Sequence, residues 1–141
     1  MNGVKAIKKG LLPMSNYTIS EDKKTLFMGA NQISFKDDIS NVIEFPNMWV
    51  VDLSNYSYVN GQPVGIDMAK QPLNNVYCLD NECNILWNIK QIMAPHLGAN
   101  PDEYYTSRKF TDGILRIFAF HGFAYSIDMK TLKVLNAIFT K

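Results

Sequence analysis

Only two cysteines, Cys78 and Cys83, and two histidines, His96 and His121, occur in 141 residues. Two cysteines are too few for the disulfide framework of a small secreted domain. A zinc site needs at least two more ligands than that pair supplies, and the histidines stand 25 residues apart with no second cysteine pair. No metal and no cofactor are expected. Long apolar runs are missing too: nothing approaches the roughly 20 residues that a membrane-spanning helix requires. The start, "MNGVKAIKKGLLPMSNYTI", combines positive charge with an apolar run of only "GLLPM" and no small-residue cleavage site. These absences predict neither export nor membrane contact, and a cytoplasmic location is the expectation. Charge of one sign is also lacking. Fourteen Lys and Arg against thirteen Asp and Glu leave +1, so no global field recruits nucleic acid or an anionic surface. The local clusters "KAIKKG" and "SRKF" are too small for a nucleic-acid footprint, and no Gly-rich loop leads into a helix to cradle phosphate.

What is present is apolar surface. At 47% hydrophobic and 19% charged, the chain has enough to offset the entropy of ordering, and its length suits one domain, residues 1–141. Period-two alternation recurs at Tyr17 and Ile19, Ile33 and Phe35, Tyr77 and Leu79, and Tyr125 and Ile127. Runs such as "NVIEF", "NMWVVDL", "ILRIFAF" and "KVLNAIF" are β-branched and aromatic and are bounded by Asn, Asp, Gly or Pro, and some of them bury both faces. In "AFHGFAY" the His121-Gly122 pair predicts a tight hairpin with Gly at its second central position. The fold class predicted is all-β: an antiparallel sheet of consecutive hairpins, open or curved, with at most short helical turns. Helix is arguable only near "KAIKKGLL" and "NIKQIMAPHL", where Gly10 or Pro95 interrupts the pattern. Segments 54–75 and 94–107, dense in Gly, Pro and Asn, read as long loops, and long loops are where binding is to be sought.

One pattern occurs twice. "NNVYCLDNECNILWN" (74–88) and "GFAYSIDMKTLKVLN" (122–136) align without a gap at a spacing of 48, so that Tyr77 meets Tyr125, Leu79 meets Ile127, Asp80 meets Asp128, Leu86 meets Val134 and Asn88 meets Asn136. Each copy reads as strand, Asp-led turn, strand, with the carboxylate accepting from amides exposed in the turn. A poorer third copy is "YTISEDKKTLF" at 17–27. The hairpins resemble the tyrosine, leucine, aspartate, turn glycine, tryptophan signature of quinoprotein-like β-propeller repeats. "VYCLDNECNILW" fits closely, although Cys83 and Leu132 replace the turn glycine and Asn136 stands where the second tryptophan would fall. A closed propeller needs about four blades of some 40 to 50 residues, which this chain is too short to supply.

A second resemblance runs from about residue 30 to the end. "ISFKDDISNVIEFPNMWVVDLS", "NNVYCLDNECNILWNI" and "DGILRIFAFHGFAYSIDMKTLKVL" together look like small bacterial proteins encoded beside polymorphic toxins, including immunity proteins of contact-dependent growth inhibition systems. The resemblance implies a protein that binds and blocks a cognate toxin domain, with a nuclease as a family-level expectation. It implies no catalytic residues.

The residues themselves agree in declining chemistry. Asp37-Asp38 and Asp102-Glu103 are adjacent carboxylates, which a strand directs to opposite faces. Trp49 and Trp87 lie in strand patterns and read as core, together with Tyr77, Leu79, Leu86, Phe118, Tyr125, Ile127 and Val134. Cys78 reads as buried and Cys83 as a partly exposed turn residue. No catalytic residue and no small-molecule substrate are expected. The candidate partner contacts are Tyr56, Tyr58, Asp102, Glu103 and Tyr104, aromatic anchors beside carboxylates that would steer toward a basic cleft. Tyr104 and Tyr105 fit equally well as the opening of a strand toward Phe110. Two alternatives stay open: a small-ligand protein or minor enzyme with a pocket beside 54–75, using His96 or His121, and a propeller-derived scaffold that pairs through strand edges.

Overall fold

A computed structural model describes residues 17–99 and 101–140. Within them the alternating stretches become β1 (Tyr17–Ile19), β2 (Thr25–Met28), β3 (Asn31–Ser34), β4 (Asp38–Phe45), β5 (Met48–Ser54), β6 (Tyr56–Val59), β7 (Gln62–Ile66), β8 (Val76–Leu79) and β9 (Ile85–Asn88). A helix, α1 (Ile89–Leu97), precedes β10 (Tyr105–Lys109), β11 (Ile114–Ala119), β12 (Phe123–Asp128) and β13 (Lys133–Phe139). The strands divide among four antiparallel sheets, ordered β1-β2-β3, β4-β5-β8-β9, β6-β7 and β10-β11-β12-β13. The all-β class and the run of consecutive hairpins are as predicted, and the described strands close neither a barrel nor a propeller. The possible helix near "KAIKKGLL" lies outside the described residues.

The middle sheet is buried on both faces, so β5 carries almost no exposed residue. Trp49, Val51 and Leu53 turn toward β2 with Leu26, Met28, Ile39, Leu79 and Cys83. Val50, with Ile43, Phe45, Val76, Cys78 and Trp87, turns the other way, onto Tyr105, Leu115, Ile117, Tyr125 and Ile127 of the last sheet. Helix α1 adds Ile89, Ile92 and Met93 to that second cluster. The helix is longer than the short turn expected. Asn88 and Gln91 form a capping box, in which the Asn88 side chain accepts from the Lys90 amide at 3.0 Å and Gln91 Oε1 accepts from the Asn88 amide at 2.7 Å. Pro95 lies inside α1 and removes one helical donor, and the helix ends at Gly98, φ 65°.

The repeated pattern is a feature of the fold. Asp80 Oδ1 accepts from the amides of Glu82 and Asn84 at 2.8 and 2.9 Å, and Asp128 Oδ1 accepts from Lys130 at 2.8 Å. Cys83 and Leu132, in the place of the turn glycine, take the left-handed conformation that glycine favours, φ 65° and 60°. Lys23 does the same in the third copy, φ 66°, where β1 pairs with β2. The gapless alignment needs correction, because the second turn is one residue longer. Cys78 pairs with Trp87 and Leu79 with Ile85, leaving Leu86 as a bulge, while Ser126 pairs with Asn136 and Ile127 with Val134, leaving Leu135 as its counterpart. The spacing is therefore 48 before the turn and 49 after it, by the differences 126 − 78 and 135 − 86.

Two expected core residues are displaced for local reasons. The bulge turns Leu86 to solvent, 48% exposed. Phe118 alternates with the buried Ile117 and Ala119, so it lies half-buried on the outer face of its sheet. Cys83, expected as a partly exposed turn residue, is 7% exposed because its left-handed turn folds the side chain back under β2. The hairpin at His121-Gly122 forms as a three-residue connection with Gly122 third, φ 108°, its amide donating to the Ala119 carbonyl at 2.9 Å.

Polar side chains join the middle and last sheets. The unpaired edge of β10 presents the amides and carbonyls of Tyr105 and Ser107. Asn75 takes Tyr105 on both sides: its Oδ1 accepts from the Tyr105 amide at 2.8 Å, and its Nδ2 donates to the carbonyls of Tyr105 and Leu53, each at 2.7 Å. Asp52 accepts from the Ser107 amide at 2.9 Å and from its hydroxyl, and Asn41 Nδ2 donates to the Ser107 carbonyl at 3.0 Å. A sheet edge that would otherwise invite another strand is thus capped from within the chain.

Candidate functional site

Segment 54–75, which reads as an irregular loop, contains a β-ribbon. Asn60 and Gly61, φ 53° and 79°, make a two-residue turn of the kind that matches strand twist, and β6 pairs with β7 around it. The Asn-Gly dipeptide between "YSYV" and "QPVGI" is the signal that predicts this hairpin. The ribbon pairs with no other strand among the described residues. It bears Tyr58, Val59, Val64 and Ile66 at 40% to 62% exposure, and Met68 and Leu73 beyond it are exposed as well. Sequence reasoning singled out the tyrosines and missed these aliphatic residues.

The base of the ribbon is fixed by polar contacts. Buried Asp38 receives Lys24 Nζ at 2.6 Å and the Tyr58 hydroxyl at 3.2 Å. Asn55 donates to Asp37 at 2.9 Å and to the Lys70 carbonyl at 2.7 Å, while Gln71 Nε2 donates to the Asn55 carbonyl at 2.8 Å. Tyr56 is half-buried, with its ring edge-on to Tyr58 at 6.4 Å between centroids. The ribbon is therefore held at its root and open along its length.

Asp102 and Glu103 lie elsewhere, on a cavity of about 530 Å³ lined also by His96, Leu97, His121, Phe123 and Tyr125. His121 Nδ1 is hydrogen-bonded to Glu103, and its Nε2 stands 3.0 Å from the Tyr125 hydroxyl. Burial, with the Glu103 charge behind it, pushes the Tyr125 phenol above its usual value. Asp102 accepts from Asn74 Nδ2 at 2.8 Å and meets Lys90 Nζ at 3.0 Å, and these contacts, Asn74 first, hold its carboxyl below the ordinary range. Both expected steering carboxylates are thus already engaged with partners in the chain. Sequence spacing could not show that His121, 18 residues from Glu103, meets it.

Tyr104 needs correction as a contact residue. It is 7% exposed, and its hydroxyl lies 2.8 Å from Ser54 Oγ, so the interior takes the ring that an interface would need. Its neighbour Tyr105 is fully buried. The cysteines sit in different core clusters, Cys78 with its thiol pushed up to about 12 by burial and Cys83 with its thiol raised by the same cause, and neither has the low pKa of a reactive thiol. Among the described residues no three His, Cys, Asp or Glu side chains converge as metal ligands. No helix there is long and apolar enough to cross a membrane.

Residues 14–139 match a family described as a domain of unknown function, DUF7957. The chain belongs to that family. A comparison with curated proteins finds no match. The ribbon and the Glu103–His121–Tyr125 cavity both fall within the DUF7957 match.

Proposed function

We propose that the chain is a stoichiometric inhibitor that binds and neutralises a cognate bacterial toxin domain, with the β6–β7 ribbon as its contact. The supporting observation is the ribbon itself: Tyr58, Val59, Val64 and Ile66 lie exposed on a hairpin that pairs with no other strand among the described residues and is tied to the body of the fold at its root. A two-stranded ribbon with uncovered apolar side chains contributes little to its own stability, and a partner surface that covers them gains their burial. A tyrosine at the centre of such a contact is a common anchor, and the aliphatic side chains around it add apolar burial. The toxin identity follows from the resemblance of the strand series to immunity proteins. The experiment is co-expression with the protein encoded by the neighbouring gene, read by survival and by co-purification. Val64→Asp with Ile66→Asp should weaken binding by about 30-fold or more while leaving the denaturation midpoint unchanged. Unaltered binding by that variant refutes the ribbon as the contact, and failure of the neighbouring product to bind at all refutes the toxin reading.

A second reading rests on the Glu103–His121–Tyr125 chain on the wall of its cavity, whose size suits a small polar ligand. This reading takes a cavity lined by residues of 94–107, whereas the sequence led to a pocket beside 54–75. A fragment screen by NMR tests it. Hits that shift the His121 ring and are lost in His121→Ala support the reading, and a screen with no such hits removes it.

A further inference from the structure

The outer face of the last sheet carries an arrangement that folding alone does not favour. The register places Arg108 directly opposite Arg116 on neighbouring strands, and alternation puts both on the face turned away from the core. Like charges in that position repel and destabilise the pair. Neither guanidinium has an ion-pair partner among the described residues. Each lies over an aromatic ring, Arg108 over Phe118 at 5.1 Å and Arg116 over Phe110 at 4.7 Å, so the two lean apart along the sheet. Stacking fixes the plane of a guanidinium and leaves its donor edge free for a carboxylate or phosphate.

The same row continues through Ser126, opposite Arg116 and 4% exposed, to Asn136 opposite Ser126. Arg116 Nε donates to Ser126 Oγ at 3.3 Å. The one acid in β10 to β13 is Asp128, at the turn, and its Oδ1 is taken by the amides of Lys130 and Thr131. The row is therefore two charged donor forks followed by neutral polar groups, with no acceptor of opposite charge in it.

We infer that this face is a docking site for a carboxylate-bearing extended segment of a protein partner, gripped jointly by Arg108 and Arg116. Adjacent strands lie roughly 4.8 Å apart and alternate side chains of an extended peptide roughly 7 Å apart, so two forks that lean away from each other suit two acids at alternate positions. Single-stranded nucleic acid fits less well, because the chain's own guanidiniums already cover the rings that bases would stack on, and two arginines do not make a phosphate track. The site is separate from the ribbon and does not depend on it.

The test is an NMR titration of the ¹⁵N-labelled chain at low salt with a hexaglutamate peptide and, in parallel, with hexathymidylate. The peptide should shift the amides of 106–108 and 116–118, and the shifts should fade as salt screens the contact. Arg108→Glu should place an acid opposite Arg116, keep or raise the denaturation midpoint, and weaken peptide binding by about tenfold or more. Should that variant not fold, Arg116→Gln with Arg108→Gln carries the same test. Tighter binding of hexathymidylate than of the peptide, shifts confined to another face, or undiminished binding by the variants overturns the inference.

Discussion

Replacing Asn75 tests the junction between the middle and last sheets. The residue is 1% exposed and makes three hydrogen bonds through its side chain, one accepted from the Tyr105 amide and two donated to the carbonyls of Leu53 and Tyr105. Asn75→Leu keeps most of the volume and strands all three groups. A buried group left without its partner costs roughly 1–3 kcal/mol, with the amide at the upper end because it has a single proton to give. The expected loss is about 4 kcal/mol, a large part of the stability of a typical domain. Asn75→Ala should lose somewhat more, since it adds a cavity to the same deletion. Asn75→Asp keeps the acceptor for the Tyr105 amide but turns a carboxylate oxygen toward two carbonyls, so it should be the worst of the three at neutral pH and should recover part of its loss when acid protonates it. Urea unfolding followed by circular dichroism measures each, with an unchanged m-value required for the comparison. A loss under 1 kcal/mol for Asn75→Leu refutes the view that this side chain holds the two sheets together.

Asp52 gives the opposite of ordinary acid denaturation. Burial pushes its folded pKa to about 6 against the hydrogen bonds from Ser107 and Asn41. The folded chain therefore holds the proton between the usual carboxyl value and about 6, and the Asp52 contribution to stability is complete below that window and lost as pH rises through it. Relative to Asp52→Asn, the native chain should lose about 3 kcal/mol between pH 3 and pH 7, and a flat difference across that range rejects the assignment. Tyr105 buries a hydroxyl with no partner among the described residues, so Tyr105→Phe should raise stability by about 1 kcal/mol in thermal unfolding. Leu132 and Cys83 share a left-handed backbone but differ in burial. Leu132→Gly should therefore be neutral or stabilising by up to about 1 kcal/mol, whereas Cys83→Gly should lose stability because its side chain packs in the core; equal effects in denaturant would contradict the difference in burial.

The sequence by itself determined the class and most of the hairpins, because period-two alternation is a local property: a strand's apolar face is written in residues i, i+2 and i+4 whatever it later packs against. The hairpins at 76–88 and 123–139 were legible in this way, and the continuous apolar run of β5 marked it as one of four candidates for burial on both faces. So was the unusual occupancy of the turn-glycine position, and the left-handed Cys83 and Leu132 follow from it. The Asn-Gly ribbon was legible too, but the surrounding Gly, Pro and Asn masked it as loop. The displaced residues were not legible. A bulge decides that Leu86 faces water, and stacking decides that Cys83 and Tyr104 do not. Only the tertiary structure brings Asn75 to Tyr105, Asp52 to Ser107, Glu103 to His121 and Arg108 opposite Arg116. Those meetings depend on which sheet edge lies over which face and on strand register, and both are settled by the fit of side chains as far apart as Asn41 and Ser107, 66 residues, which no local pattern encodes.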